Sequence, residues 1–336
     1  MTWIRDRAVE VEPDSRTIVL TGGDTIGYGQ LVMAPGLQLD FDAVPGLAES
    51  VGRRGVSSNY RFDLAPRTWD LIRATRGGTA VFTMPPGPIK CGGAPQKIAY
   101  LAADWWRRQG LLEATRVILV LPTPTIFSQP DWARVLENVA GDYGIEVRYE
   151  SQLVEVDGDN RRAVILDNRS GVKDTIDYDL LHAVPPQSAP DWLKEGPLAD
   201  PASPFGYLEV DQYTLQSRRW PEVFALGDVA SLPTSKTGAA IRKQAPVVVA
   251  NMLVARRNQP LVARYDGYTL LPAGHRPQPD AASRVRLRAQ AGAQLPVHRH
   301  DEAALRHVVA QAVRATGDVL ARDAPWTGLT GHLRTP

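Results

Sequence analysis

GTAVFTMPPGPIKCGGAPQKIAYLAADWWRRQGLLEATRVILVL, residues 78–121, decides the fold. Its start, GTAVFT (78–83), is a short β-rich run. PQKIAYLAADWWRRQ (95–109) places Ile98, Leu101, Ala102 and Trp105 at helical spacing. Pro95 suits a first helical turn and Gly110 a stop. RVILVL (116–121) has little polar alternation, as a strand buried on both faces of a parallel sheet requires. Further on, DWARVLENVAGDYG (131–144) reads as a helix and IEVRYE (145–150) as a third strand. Strand, helix, strand, helix, strand is a dinucleotide-binding-like α/β unit.

Upstream, RTIVLTGGDTIGYGQLVMAPG (16–36) reads as two strands around a turn at Gly22-Gly23-Asp24, then a loop at Pro35-Gly36. Downstream come polar strands with turns at DGDN and DNRSG, and then YDLLHAVPP (178–186), a strand running into a proline stop. VFALGDVA (223–230) is another buried strand, and TGAAIRKQAPVVVANMLVARR (237–257) is the longest helical stretch. There is no internal repeat.

With 43% hydrophobic and 22% charged residues, the chain has the composition of a globular protein. A net charge of +1 leaves no electrostatic footprint for nucleic acid. No run of 18 apolar residues exists to span a membrane. The opening MTWIRDRAVEVEPD lacks a signal peptide's pattern, and one cysteine excludes an internal disulfide framework. The expected location is a reducing compartment, the cytoplasm by default.

Composition breaks near the end. From Leu270 onward there is no Lys, Tyr, Phe or Ile, nine Arg stand against five acids, and five of the six His occur (275, 298, 300, 307, 332). Such a break marks a linker, a disordered tail or a segment of foreign origin. His298 and His300, two apart in an Arg- and Ala-rich stretch, are a poor ligand pattern, and no metal site is expected.

MPPGPIKCGGAPQK (84–97) carries the most chemistry, because open α/β sheets bind ligands between a strand's end and the next helix. A glycine-rich cradle for NADH would lie here, and prolines and a cysteine occupy its place. Cys91, just before a helix and beside Lys90, is expected to have a lowered pKa and to act as a thiolate nucleophile. The competing reading is a small buried core cysteine. Its place after a strand, and Gly92-Gly93 allowing close approach, favour the reactive one.

In VFALGDVASLPTSKTGAAIRKQAPVV (223–248), a strand ending at Gly227-Asp228, a short loop and a helix suit the ribityl and phosphate end of a flavin. As a lone pair, Gly-Asp is an ordinary turn. Two further features read as packing. One helix face explains Trp105 better than a quinone pocket bounded by Trp105 and Trp106 does. His182, in the apolar LLHAV, reads as a core histidine.

IKCGGAPQKIAYLAADWWRRQG, DYDLLHAVPPQSAP, TLQSRRWPEVFALGDVASLPTSKTGAA and YDGYT together resemble the sulfide:quinone oxidoreductase family, in the branch shared by bacteria and mitochondria. The resemblance runs from Trp3 to Thr269 and implies an α/β flavoprotein with two dinucleotide-binding (Rossmann-like) domains. On that footing, residues 1–75 and 187–269 belong to an FAD domain and 76–186 to a second Rossmann-like domain. Residues 270–336 form a non-homologous tail. The implied cofactor is FAD and the implied substrates are sulfide and quinone, with peripheral membrane contact and no nucleic-acid partner. Cys91 matches the cysteine that bears the persulfide. Met33, Ala34, Pro35, Gly36, Gly227, Asp228, Lys236, Thr237, Gly238, Ala239 and Ala240 match the segments that contact the flavin.

The chain also departs from the family pattern. The family's opening strand, G-x-G-x-x-G loop and helix have no counterpart, so the first βαβ unit of the FAD domain is expected to be lacking. New sheet edges and low solubility would follow. After YDGYT the family carries its second cysteine in a segment like SCPLVTGH, where this chain reads LLPAGHRPQ. Codons from Leu270 onward, read one base later, can spell SCPLVTGH. In the same frame, the codons for 294–314 give a second family-like stretch, so the tail reads as a frameshift product. A dithiol–disulfide cycle needs two sulfurs, so impaired activity is expected. The competing classes are a non-enzymatic remnant and a type II NADH:quinone reductase.

Overall fold

The structure is a computed structural model that describes residues 2–269. The tail, with its composition break, its histidines and its frameshift reading, lies outside the described residues.

Three strands, β1 (Ala8–Glu12), β2 (Thr17–Leu20) and β3 (Thr25–Gly27), form an antiparallel sheet, with the β2–β3 turn where Gly22-Gly23-Asp24 placed it. β4 (Leu31–Met33) and β5 (Gln38–Leu39) follow, then α1 (Leu47–Ser50), β6 (Val56–Ser57) and α2 (Ala65–Ala74). The decisive stretch supplies β7 (Gly78–Thr83), α3 (Ala94–Arg108) and β8 (Thr115–Val120), continued by α4 (Pro130–Asp142) and β9 (Glu146–Arg148). Then come the hairpin strands β10 (Ser151–Asp157), β11 (Arg162–Asp167) and β12 (Lys173–Asp177), and β13 (Leu180–Ala183). The chain closes with β14 (Gln187–Ser188), α5 (Asp191–Lys194), β15 (Val223–Ala225) and α6 (Gly238–Ala255).

The main sheet has the order β6-β13-β7-β8-β9, with every neighbouring pair parallel. Its central strands β7 and β8 are largely apolar because both faces are covered. Helices α2, α3 and α4 bury Ile72, Ala99, Ala103 and Ala133 against Ala80, Phe82, Val117 and Leu119. On the other face, the β10–β12 sheet packs Leu153, Ala163, Ile165 and Ile176 against Val81, Ile118, Val120 and Leu181. Smaller pairings complete the frame: β4 runs parallel to β15, and β5 antiparallel to β14. Val56 of β6 belongs to the cluster beneath the main sheet, and α2 lies against β6 and β13.

The buried stripe of α3 differs from the sequence expectation. Ile98, Ala99, Ala102, Ala103 and Trp106 are buried, while Leu101 and Trp105 are half-buried. Trp106 wins the interior because its indole N–H finds an acceptor there, the carbonyl of Ile72 at 3.0 Å. Trp105 lies edge-on to Trp69 with centroids 4.9 Å apart. Asp104, on the same helix, is buried between Arg107 and Arg108, each 2.7 Å away.

Candidate functional site

The parallel register of β4 and β15 sets Met33 opposite Ala225, and the Leu226 N–H donates to the Met33 carbonyl at 3.1 Å. Two turns therefore leave the same edge side by side: Ala34-Pro35-Gly36 from β4 and Leu226-Gly227-Asp228 from β15. Both glycines are left-handed, with φ +77° at Gly36 and +78° at Gly227. The Gly227 N–H donates to Gln244 Oε1 on α6 at 2.8 Å, which fixes the turn against the helix. Strand ends of this kind form the ligand crevice of open α/β sheets.

Asp228 hangs from that edge, and burial pushes its carboxyl up against the pull of Lys236 and Lys90. Lys236 is itself buried, and burial lowers its amine to about 8 in spite of Asp228. Its Nζ donates to the carbonyls of Asp228 and Ala230 and sits 3.7 Å from the centroid of the Tyr207 ring. Thr237 caps α6, its hydroxyl accepting from the Ala240 N–H at 3.2 Å. The small residues Gly238, Ala239 and Ala240 form the first turn. An isolated parallel bridge between Lys90 and Lys236 then draws the loop bearing Cys91 alongside this segment.

Cys91 occupies the turn before α3 with φ +87°. The Lys90 N–H donates to Gln187 Oε1 at 3.0 Å, and Tyr60 Oη donates to the Lys90 carbonyl at 3.1 Å. The expected lowering of the thiol does not occur. Burial raises it, Lys97 pulls it down, Asp228 pushes it up, and N–H donation from Gly93 and Ala94 pulls it down again. Desolvation outweighs the helix start here. The cation that acts on the sulfur is Lys97, one turn into α3, rather than its neighbour Lys90.

A cleft of about 700 Å³ opens beside Cys91, lined by Met84, Ile89 and Gly92 from its loop and by Tyr207, Ser231 and Lys236 opposite. The structure thus gathers the sequence-predicted residues from three distant segments into one region: 34–36, 227–240 and Cys91. Sequence reasoning missed Tyr60, Gln187 and Tyr207. Gln187 follows the proline stop after β13, at the carboxyl end of the main sheet, and that position was the available signal. His182 is the core histidine that its strand suggested. It is buried, it accepts from the Asn59 N–H at 3.0 Å, and burial lowers it to about 4.

A parallel sheet covered on both faces, a second parallel strand pair and left-handed glycine turns at the strand ends are features of dinucleotide-binding α/β folds. The chain belongs to the pyridine nucleotide-disulphide oxidoreductase family, whose model matches residues 1–251. It is 39% identical over 272 residues to the mitochondrial sulfide:quinone oxidoreductase of Dictyostelium discoideum, covering 81% of this chain and 59% of that protein. The mouse protein of the same name is also 39% identical over 272 residues, with 80% of this chain and 60% of the relative covered. The chain therefore spans about three-fifths of the length of these relatives. Among solved structures, the sulfide:quinone oxidoreductase of Aquifex aeolicus shares the fold with a TM-score of 0.65 at 19% identity, over 76% of this chain and 61% of that one.

Proposed function

We propose that this chain is a sulfide:quinone oxidoreductase polypeptide in which Cys91 bears the sulfur. The observation that carries this is the Lys90–Lys236 bridge, which holds the cysteine loop against the segment that suits a flavin. The 39% identity to two curated sulfide:quinone oxidoreductases supports it.

The residues present fit FAD. A side chain built at Gly36 or Gly238 would meet open space, so a ligand has room against the backbone at both places. Asp228 offers a carboxylate to ribityl hydroxyls, and the first turn of α6 offers backbone N–H groups to an anion. Residues 34–36, Gly227, Asp228 and 236–240 would hold the cofactor, in an FAD domain made of 1–75 and 187–269, less β6 and α2, which pack with the second unit, 76–186. When bound, FAD supplies a two-electron acceptor that can deliver electrons onward to quinone.

The chain's own residues handle the sulfur. Joining hydrosulfide to the Cys91 thiolate would give a persulfide, with one proton released and two electrons for which bound FAD would be the acceptor. Lys97 and the N–H groups of Gly93 and Ala94 offset part of the burial that raises the thiol, and the cleft along the same loop is the proposed way in for sulfide. Cys91 is the single cysteine of the 336 residues, so the sulfane sulfur is proposed to leave to a thiol or another nucleophile outside them. Among the described residues no helix is long and apolar enough to cross a membrane. Access to a membrane quinone is therefore proposed to be peripheral.

The test is mass spectrometry of the Cys91 peptide, after the FAD-reconstituted chain has met sulfide and quinone without oxygen. One added sulfur atom on Cys91 is expected. An unmodified thiol beside quinone that has become reduced would refute this role for the residue.

A further inference from the structure

Cys91 is a non-glycine residue with φ +87°, a strained conformation that persists only where the surroundings impose it. What imposes it comes from outside the loop. Gln187, 97 positions away, accepts the Lys90 N–H at 3.0 Å, and Tyr60, 30 positions back, donates to the Lys90 carbonyl at 3.1 Å. The Lys90 ammonium also lies 5.7 Å from the centroid of the Tyr60 ring. Both anchors are themselves fixed. Gln187 is 2% exposed and paired with Leu39 in the β5–β14 ladder, while Tyr60 follows β6 of the main sheet.

The two peptide units of Lys90 are thus gripped from opposite sides, just before the strained residue. On the far side, the Ala94 N–H donates to the Cys91 carbonyl at 2.6 Å and closes the turn into α3. The backbone N–H groups of Gly93 and Ala94 also act on the thiol, pulling its pKa down against the effect of burial. The Gln187 amide nitrogen is buried without a protein acceptor.

We infer that Gln187 and Tyr60 are positioning residues, which clamp Lys90 and hold Cys91 in its left-handed conformation at the start of α3. This rests on the reading of Cys91 as the sulfur-bearing residue. Releasing either grip lets Cys91 relax toward ordinary backbone angles and moves its sulfur relative to the N–H groups of Gly93 and Ala94.

The single cysteine makes the test clean, because iodoacetamide reports on Cys91 alone in the full chain. The rate of alkylation is followed against pH for the wild type, Gln187→Leu and Tyr60→Phe. Thr68→Val, a buried substitution near Ser57, serves as the control for general loosening. Both clamp variants are expected to move the half-maximal pH upward, and a midpoint one pH higher lowers the rate at pH 8 about tenfold. The control is expected to keep the wild-type midpoint. A midpoint that stays or falls in both clamp variants overturns the proposal. Should Gln187→Leu fail to fold, Tyr60→Phe decides alone, since it keeps the ring and loses one hydroxyl. The assay needs neither sulfide nor flavin, so the clamp stands or falls separately from the sulfide chemistry.

Discussion

Lys90 and Lys236 face each other across a parallel backbone bridge, joining the loop that carries Cys91 to the loop that opens α6. The two segments lie far apart in sequence, yet the charges of one reach the groups of the other. Lys90 and Lys236 both pull on Asp228, and Asp228 in turn acts on Cys91.

That arrangement predicts opposite effects for two charge removals. Asp228 disfavours the thiolate, so Asp228→Asn should lower the Cys91 pKa and speed alkylation at a fixed pH below it. Lys97 favours the thiolate, so Lys97→Met should slow alkylation. Rates of iodoacetamide labelling across pH read both signs. Two variants moving in the same direction would contradict these opposed charge effects.

Acid should destabilise the chain partly through His182. The imidazole is fully buried and holds its proton only below about 4, while an unfolded histidine takes one up below about 6.5. Between those values the unfolded state binds the extra proton, so stability falls as the pH drops, by up to about 3 kcal/mol from this group. His182→Gln keeps an acceptor for the Asn59 N–H and should flatten the dependence of urea-unfolding stability over that window. An unchanged slope would show that His182 is not the neutral buried group described.

The two adjacent tryptophans should behave differently when truncated. Trp106→Ala removes a fully buried ring and leaves the Ile72 carbonyl without its donor, a change expected to cost about 3–5 kcal/mol. Trp105→Ala removes a half-buried ring packed on Trp69 and should cost clearly less. Chemical unfolding of the two variants provides the comparison, and equal losses would contradict the placement.

The parallel sheet was legible because burial on both faces leaves an unbroken apolar run: GTAVFT and RVILVL coincide with β7 and β8 to within a residue. The face of α3 was less so. Trp105 and Trp106 both fall near the apolar stripe, and the choice depends on a carbonyl from Ile72, 34 positions away. Cys91 shows the same limit in its electrostatics. Sequence proximity named Lys90, whereas the fold brings Lys97 and Asp228 to bear on the sulfur and partly buries it. Tyr60 carried no local pattern and Gln187 only its place after the proline stop, since both act through contacts with Lys90 that the fold brings about.

The proposed entry of sulfide's electrons at Cys91 is tested most directly by the visible spectrum of the FAD-reconstituted chain without oxygen. Sulfide should bleach the flavin bands of the wild type, leave those of Cys91→Ser unchanged, and NADH should bleach neither. Bleaching of Cys91→Ser by sulfide at the wild-type rate, or of the wild type by NADH alone, would contradict that role.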